Sequence, residues 1–86
     1  MIPRLVAATP GRETWQGSRR YELFRLSDWF WRVELDGRLV ATVVQMHGQW
    51  RGWVGAICLT LTHAPKVSED ARKAIVVKVI EYMEAR

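Results

Sequence analysis

The stretch Trp29–Val44 reads WFWRVELDGRLVATVV, an alternating run, a turn dipeptide and a second run rich in β-branched residues. The odd-numbered positions from Trp29 to Leu35 share one parity, so they lie on one face if the segment is a strand. Asp36-Gly37 favours a two-residue type I′ turn, because both central positions need positive φ, which Asp tolerates and Gly adopts freely. The stretch therefore predicts a β-hairpin.

Strands are also predicted on the N-terminal side of this hairpin. Tyr21–Leu26 has apolar residues on both parities, which suits a strand that is partly covered on both faces. Residues 1–13 predict an edge strand or an arm, closed by the turn signal Pro10-Gly11. Together with the segment that follows the hairpin, an antiparallel sheet is predicted over residues 14–62.

On the C-terminal side of the hairpin, Trp50–Thr62 predicts a further strand or a bent pair of strands. Gly52 and Gly55 lie within it, and glycine inside a strand marks a bulge, a bend or the close approach of another group. The segment is almost entirely apolar, so we expect it to lie in the middle of the sheet or under a helix. Cys58 is accordingly expected to be a buried, inert thiol.

A helix is predicted over residues 68–85. Ser68 is suited to the N-cap position, and Glu69 and Asp70 place negative charge in the first turn, where the helix dipole favours it. A broad apolar stripe follows, which Arg72 alone interrupts: Ala71, Ile75, Val76, Val79, Ile80, Tyr82 and Met83. Five β-branched residues within Ile75–Ile80 lower the helix propensity, so a strand there is the alternative.

The pattern predicts an α+β protein, residues 1–86 forming one small domain. We expect an antiparallel sheet of three to five strands with one C-terminal helix packed on one face. A chain of 86 residues buries only about 60–65% of its unfolded surface, so a deep catalytic cleft is hard to build. One helix covers one face of a sheet, so aromatic surface is expected to remain uncovered on the other.

Neither a membrane segment nor a disulfide is expected. No apolar run approaches the roughly 20 residues that cross a bilayer, and the N-terminal apolar run is too short for a signal peptide. Cys58 is the single cysteine, so no intrachain disulfide can form. These features predict a cytoplasmic protein.

The sequence predicts no catalytic site, metal site or cofactor. His47, His63 and Cys58 show no spacing typical of metal ligands or of a nucleophile and its base. No glycine-rich loop opens a helix, so a phosphate-binding turn of the nucleotide-binding kind is absent. We therefore predict that the protein is not an enzyme.

The charge of +4 points to an anionic partner. There are 13 basic residues against 9 acidic ones, and no carboxylate occurs between Gly37 and Ser68. Any positive field therefore belongs to the sheet region. Ten of the basic residues are arginine, which suits bidentate phosphate or carboxylate contacts and stacking on rings.

Tryptophan beside arginine is the most informative feature for function. Five tryptophans occur in 86 residues, and the alternative interpretation is that they belong to the core. The functional hypothesis is a basic and aromatic sheet face that binds nucleic acid, either by stacking on unpaired bases or by entering a duplex groove. The predicted binding residues are Arg19, Arg20, Arg32, Arg38, Trp50 and Arg51.

Two other partners are compatible with the same surface. Trp, Tyr and Arg dominate protein interfaces, so the chain could be an accessory or inhibitor protein, of the kind that phages and mobile elements encode. It would dock on an acidic surface of a larger nucleic-acid-handling machine. A homodimer through the uncovered sheet face is a third option. A membrane partner is not expected, because residues 68–86 are neutral overall and the polar face of the predicted helix is not rich in basic residues.

Overall fold

The computed structural model describes residues 1–86 as seven strands followed by one helix. The elements are β1 (Arg4–Thr9), β2 (Arg12–Gln16), β3 (Arg20–Ser27), β4 (Phe30–Leu35), β5 (Arg38–Met46), β6 (Gln49–Val54), β7 (Ile57–Leu59) and α1 (Ser68–Glu84). The strands form one antiparallel sheet in chain order, β1 to β7. The α+β class, with an antiparallel sheet and a C-terminal helix, is confirmed.

The predicted strand count of three to five is wrong, because the sheet has seven strands. Two short elements account for most of the difference. β2 has five residues and a mostly polar sequence, RETWQ, which carries little strand signal. The apolar segment after the central hairpin was predicted to form either one strand or a bent pair of strands, and the structure shows the pair. A turn at Gly55, whose φ is +58°, divides it into β6 and β7.

Tight turns with positive φ join β4 to β5 and β5 to β6. Asp36 and Gly37 have φ of 53° and 78° between β4 and β5, which is the geometry that the Asp-Gly dipeptide predicts. His47 and Gly48 repeat it between β5 and β6, with φ of 52° and 77°. The central hairpin is therefore confirmed, and a second hairpin of the same turn geometry follows it.

Three positions differ from the sequence-based expectations. Trp29 lies in the turn between β3 and β4 and is 54% exposed, so it does not share the strand face of Trp31. β7 is an edge strand rather than a central one, although β6 does lie under α1. Cys58 is exposed, because an edge strand has a neighbour on one side alone and α1 covers the opposite face.

The core lies between α1 and one face of the sheet. Alternate residues of β2 to β6 point towards the helix. The helix α1 packs against them with a buried stripe that contains two adjacent residues in each turn. The buried sheet residues include Trp15, Tyr21, Leu23, Trp31, Val33, Val43 and Trp50, and the buried helix residues include Ile75, Val76, Val79 and Ile80. This stripe matches the predicted one, with Tyr82 and Met83 partly buried at its end.

Gly52 is the point of closest approach between the sheet and the helix. A Cβ atom at this position would lie 2.2 Å from Cγ2 of Val79 and 3.6 Å from Cγ1 of Ile75. Real Cβ atoms do not approach other atoms so closely, so only glycine lets α1 settle on β6 at this distance. Of the alternatives that the sequence left open for Gly52, the close approach of another group is therefore the one observed.

Arg72, the charge that interrupts the apolar stripe, is fully buried and ion-paired. Its Nη1 and Nη2 donate to the two carboxylate oxygens of Glu13, at 3.0 and 2.6 Å, and its Nε donates to Glu69 at 2.9 Å. The guanidinium also lies over the ring of Trp31, 4.1 Å from the ring centroid. Burial by itself would lower the pKa of Arg72, but the hydrogen bonds to Glu69 and Glu13 outweigh this effect and raise the pKa above its ordinary value.

The prediction that Ser68 caps the helix is wrong. The N-cap residue is Val67, in an extended conformation and without a side-chain capping bond, and α1 begins at Ser68. The Ser68 hydroxyl instead accepts a hydrogen bond of 2.9 Å from Nε1 of Trp50. A buried indole N–H requires an acceptor, so the Ser68 hydroxyl bonds to Trp50 and does not cap the backbone N–H groups of the first turn.

At the other end of α1, the Glu84 carboxylate fixes the helix to the turn between β2 and β3. It accepts hydrogen bonds from the backbone amides of Ser18 and Arg19 and from the hydroxyl of Tyr21, at 2.9 to 3.2 Å. Burial alone would raise the pKa of Glu84, but these hydrogen bonds hold it below its ordinary value. Burial, and then the bond to Glu84, raise the pKa of Tyr21 to about 12.

This contact predicts an acid-sensitive contribution to stability. Because the pKa of Glu84 is lower in the folded protein than in the unfolded chain, its contribution is present above the unfolded value of about 4.3 and is lost as the pH falls through the folded value. We expect Glu84→Gln to lower the urea midpoint at pH 7 and to lower it less at a second, acidic pH below about 4. Glu81→Gln, at an exposed position in the same turn, is the control. Equal loss at both pH values in Glu84→Gln would contradict this account.

Candidate nucleic-acid interface

The face of the sheet turned away from α1, here called the open face, carries a continuous row of side chains across six strands. Directly opposed residues in an antiparallel pair point to the same side of the sheet. The register places in one line Arg12 on β2, Phe24 on β3, Arg32 on β4, Thr42 on β5, Trp53 on β6 and Cys58 on β7. The row alternates basic and aromatic side chains over its first three members.

A second, shorter row runs beside the first. Phe30 on β4 is opposite Val44 on β5, which in turn is opposite Arg51 on β6. Phe30 is two residues from Arg32 and Arg51 is two residues from Trp53, so both follow the same alternation and lie on the open face. The two rows together bring three aromatic rings and two arginines to the middle of the sheet.

The rings of the open face are only half covered. Phe24, Phe30 and Trp53 are each intermediate in exposure, in contrast to the buried rings on the helix side. A shallow depression of about 280 Å³ lies beside Trp53 and is lined also by Leu39, Val40, Thr42 and other residues of β5 and the β6–β7 turn. The guanidinium of Arg12 lies 5.2 Å from the centroid of the Phe24 ring. One ring on this surface, that of Phe24, is thus already in contact with a cation.

Arg32 and Arg51 have donor groups that the protein leaves unused. The Nε atoms of both side chains are buried and have no hydrogen-bond partner in the protein. Nη2 of Arg32 forms an ion pair with Glu34 at 2.8 Å, whereas Arg51 has no carboxylate partner. Both side chains are only partly covered, so a ligand on the open face would contact their outer ends rather than these buried Nε atoms.

The structure divides the six predicted binding residues among three places. Arg32 and Arg51 lie on the open face, as does Arg20, which is opposite Gln16 at the end of β3. Arg19 and Arg38 are exposed beside the β2–β3 and β4–β5 turns. Turns of a meander alternate between the two ends of the sheet, so these two arginines lie at one end, near Arg20.

Trp50 does not lie on the candidate interface. It is 6% exposed, points towards α1 and donates its indole N–H to Ser68. Trp50 and Arg51 are consecutive strand residues, so they point to opposite faces. The alternative interpretation of a core tryptophan therefore describes Trp50, and no ring stacking with a ligand is available to it in the folded protein.

Sequence reasoning missed four residues of the open face: Arg12, Phe24, Phe30 and Trp53. For Trp53 the signal was available, because it shares the parity of Arg51 two residues earlier. Phe30 likewise shares the parity of Arg32. Arg12 lies on β2, which was not recognised as a strand, and so its alignment with Phe24 could not be derived.

Three further observations bear on the function. No protein-family model, no curated protein and no solved structure matches this chain. No group of three or more His, Cys, Asp or Glu side chains is placed to hold a metal ion. The helix α1 is neither long nor apolar enough to cross a membrane.

Proposed function

We propose that this protein is a non-catalytic binding module that binds nucleic acid on its open face. The observation that supports this most directly is that the partly exposed side chains of Arg32 and Arg51 share one face of the sheet with three half-exposed aromatic rings. Phosphate oxygens accept from guanidinium groups in bidentate geometry, and aromatic rings stack on bases. Nucleic acid supplies both kinds of group within one polymer.

The charge of the open face supports an anionic ligand. Five arginines lie on it, Arg4, Arg12, Arg20, Arg32 and Arg51, against two glutamates, Glu22 and Glu34. The glutamates pair with the arginines of their own region, Glu22 with Arg12 at 3.6 Å and Glu34 with Arg32 at 2.8 Å. Arg4, Arg20 and Arg51 form no ion pair, and of these three Arg51 lies beside the rings, two residues from Trp53.

A single charge removal tests the position of the site. We expect Arg51→Gln to weaken binding to labelled nucleic acid about tenfold, and to reduce the slope of log K against log salt concentration by about 0.7 to 0.9, the contribution of one phosphate contact. Fluorescence anisotropy at about 50 and 200 mM salt measures both quantities. Lys73→Gln is the matched control, because it removes one positive charge from α1, on the opposite side of the sheet.

Two outcomes contradict the proposal in different ways. If Arg51→Gln and Lys73→Gln weaken binding equally, nucleic acid is attracted by net charge and the open face is not the site. If neither single strands nor duplex bind at about 50 mM salt, the ligand is not nucleic acid. The alternative hypothesis, docking on an acidic protein surface, then becomes the one to test, by pull-down with Arg51→Gln as the negative control.

A further inference from the structure

Building on the proposed function, we infer that the ligand is a single strand, whose unpaired bases stack on Trp53, Phe24 and Phe30 around the guanidinium of Arg32. The inference rests on two features of the open face: its width and the arrangement of its rings. Both concern which form of nucleic acid can use the surface, and they are independent of the charge that attracts it.

The width of the open face disfavours docking into the groove of an undistorted duplex. The row from Arg12 to Cys58 crosses six strands, which at about 4.8 Å per strand spacing spans roughly 24 Å. The major groove is about 12 Å wide and admits one helix or a two-stranded ribbon. The rings lie on β3, β4 and β6, in the interior of the sheet, so they would reach base edges only in a duplex whose groove is strongly widened.

The rings are spaced to receive separate bases. Phe24 lies one strand from Arg32 and Trp53 lies two strands away on the other side, roughly 5 and 10 Å at the usual strand spacing. Phe30 lies two residues along β4, roughly 7 Å from Arg32. The three rings therefore surround one cation, and single-stranded nucleic acids are bound by this combination of stacking rings and cations on open sheets.

Trp53 has the most room for a stacked base. The depression beside it is bounded by Leu39, Val40 and Thr42, and no charged residue lines it. A planar base against the indole would be surrounded by apolar groups, while Arg51, two residues away, lies within reach of the adjoining phosphate. Trp53 is thus the residue whose loss should affect base binding and leave phosphate binding intact.

Three probes of equal length separate bases from phosphates: a 12-nucleotide oligothymidine, an abasic oligomer of the same backbone, and a 12-base-pair duplex. We expect oligothymidine to bind at least about tenfold more tightly than the abasic oligomer or the duplex. Trp53→Leu should weaken oligothymidine binding about 5- to 150-fold, the range for one lost stacking ring, and leave abasic binding unchanged. Tyr82→Leu, which removes a ring from α1, and Trp53→Phe, which keeps a ring, should bind nearly as wild type.

The outcomes distinguish this inference from the proposed function. Binding of the duplex as tight as that of oligothymidine, or equal effects of Trp53→Leu on oligothymidine and on the abasic oligomer, would overturn the single-strand inference and leave nucleic-acid binding in place. Absence of binding to all three probes would overturn the proposed function itself. Comparison of a 12-nucleotide oligouridine with oligothymidine shows whether the protein prefers ribose or deoxyribose. Tighter binding of either of these two oligomers than of the duplex supports the inference. If Trp53→Leu does not fold, the comparison of oligothymidine with the abasic oligomer on the wild type decides.

Discussion

Replacing Arg72 by methionine is expected to lower the free energy of unfolding by about 3–5 kcal/mol. The methionine side chain is similar in length to that of arginine and is apolar, so it suits the core. The expected loss therefore comes from Glu13, whose carboxylate stays buried without its partner. Glu13 is 6% exposed, and its carboxylate accepts hydrogen bonds from both Nη atoms of Arg72. Urea unfolding followed by tryptophan fluorescence measures the difference.

Two further variants make this result specific. Lys73→Met changes the neighbouring cation, which is half-buried and has no carboxylate partner, and is expected to change stability by no more than about 0.5 kcal/mol. Combining Arg72→Met with Glu13→Gln removes the unpaired negative charge of Glu13. The amide oxygen of the new glutamine can still accept the hydrogen bond from Nε1 of Trp15. The double variant should recover part of the loss, because a buried ion pair replaced on both sides costs little. A double variant less stable than Arg72→Met alone would contradict this interpretation.

Replacing Gly52 by alanine is expected to lower the free energy of unfolding by about 2–3 kcal/mol, at the upper end for added volume in a packed core. The new methyl group would lie only 2.2 Å from Cγ2 of Val79, and Val79 is fully buried on a helix that other contacts hold in position. Its χ1 has one strongly preferred rotamer in a helix, so the side chain cannot turn away without cost. Thermal or urea unfolding measures the loss.

A double-mutant cycle identifies the contact responsible. Val79→Ala removes the atom that the Gly52→Ala methyl group would meet. The double variant should therefore be more stable than the sum of the two single losses predicts, by at least about 1 kcal/mol. Simple additivity would show that the loss in Gly52→Ala arises elsewhere in the strand.

The elements that sequence analysis placed correctly are those with local signals. Asp36-Gly37 sets a turn through the backbone conformations of two residues, so its hairpin depends on nothing distant. The stripe from Ala71 to Ile80 repeats with the helical period, and its acidic first turn marks the start. By contrast, β2 has too few apolar residues to stand out, because its exposed positions carry polar side chains.

The features that were missed depend on contacts between distant residues. Arg72 and Glu13 are 59 residues apart, so the charge in the helical stripe could not be matched to its partner from sequence spacing. Ser68 has the chemistry of an N-cap, but Trp50, 18 residues earlier, occupies its hydroxyl. Local propensity was correct about what Ser68 can do, and tertiary packing decided what it does.

The candidate site was half predictable for a related reason. The alternation of Trp50, Arg51, Gly52 and Trp53 shows that Trp50 and Gly52 share one face and Arg51 and Trp53 the other. It does not show which face α1 covers, because each face carries a tryptophan. Gly52 decides this question, since its missing Cβ leaves the space that the helix occupies. A glycine within an apolar strand is thus a signal for the covered face.

The order of the strands has a consequence for how the chain folds. Every strand pairs with its neighbours in sequence, so the sheet requires the closure of short loops alone. Proteins dominated by such nearby pairings have low contact order and fold fast for their size. The contacts between residues most distant in sequence all involve α1. The contact of Arg72 with Glu13 closes a loop of 59 residues, and that of Glu84 with Ser18 closes a loop of 66 residues. The entropic cost of long-loop closure therefore falls almost entirely on the docking of one helix.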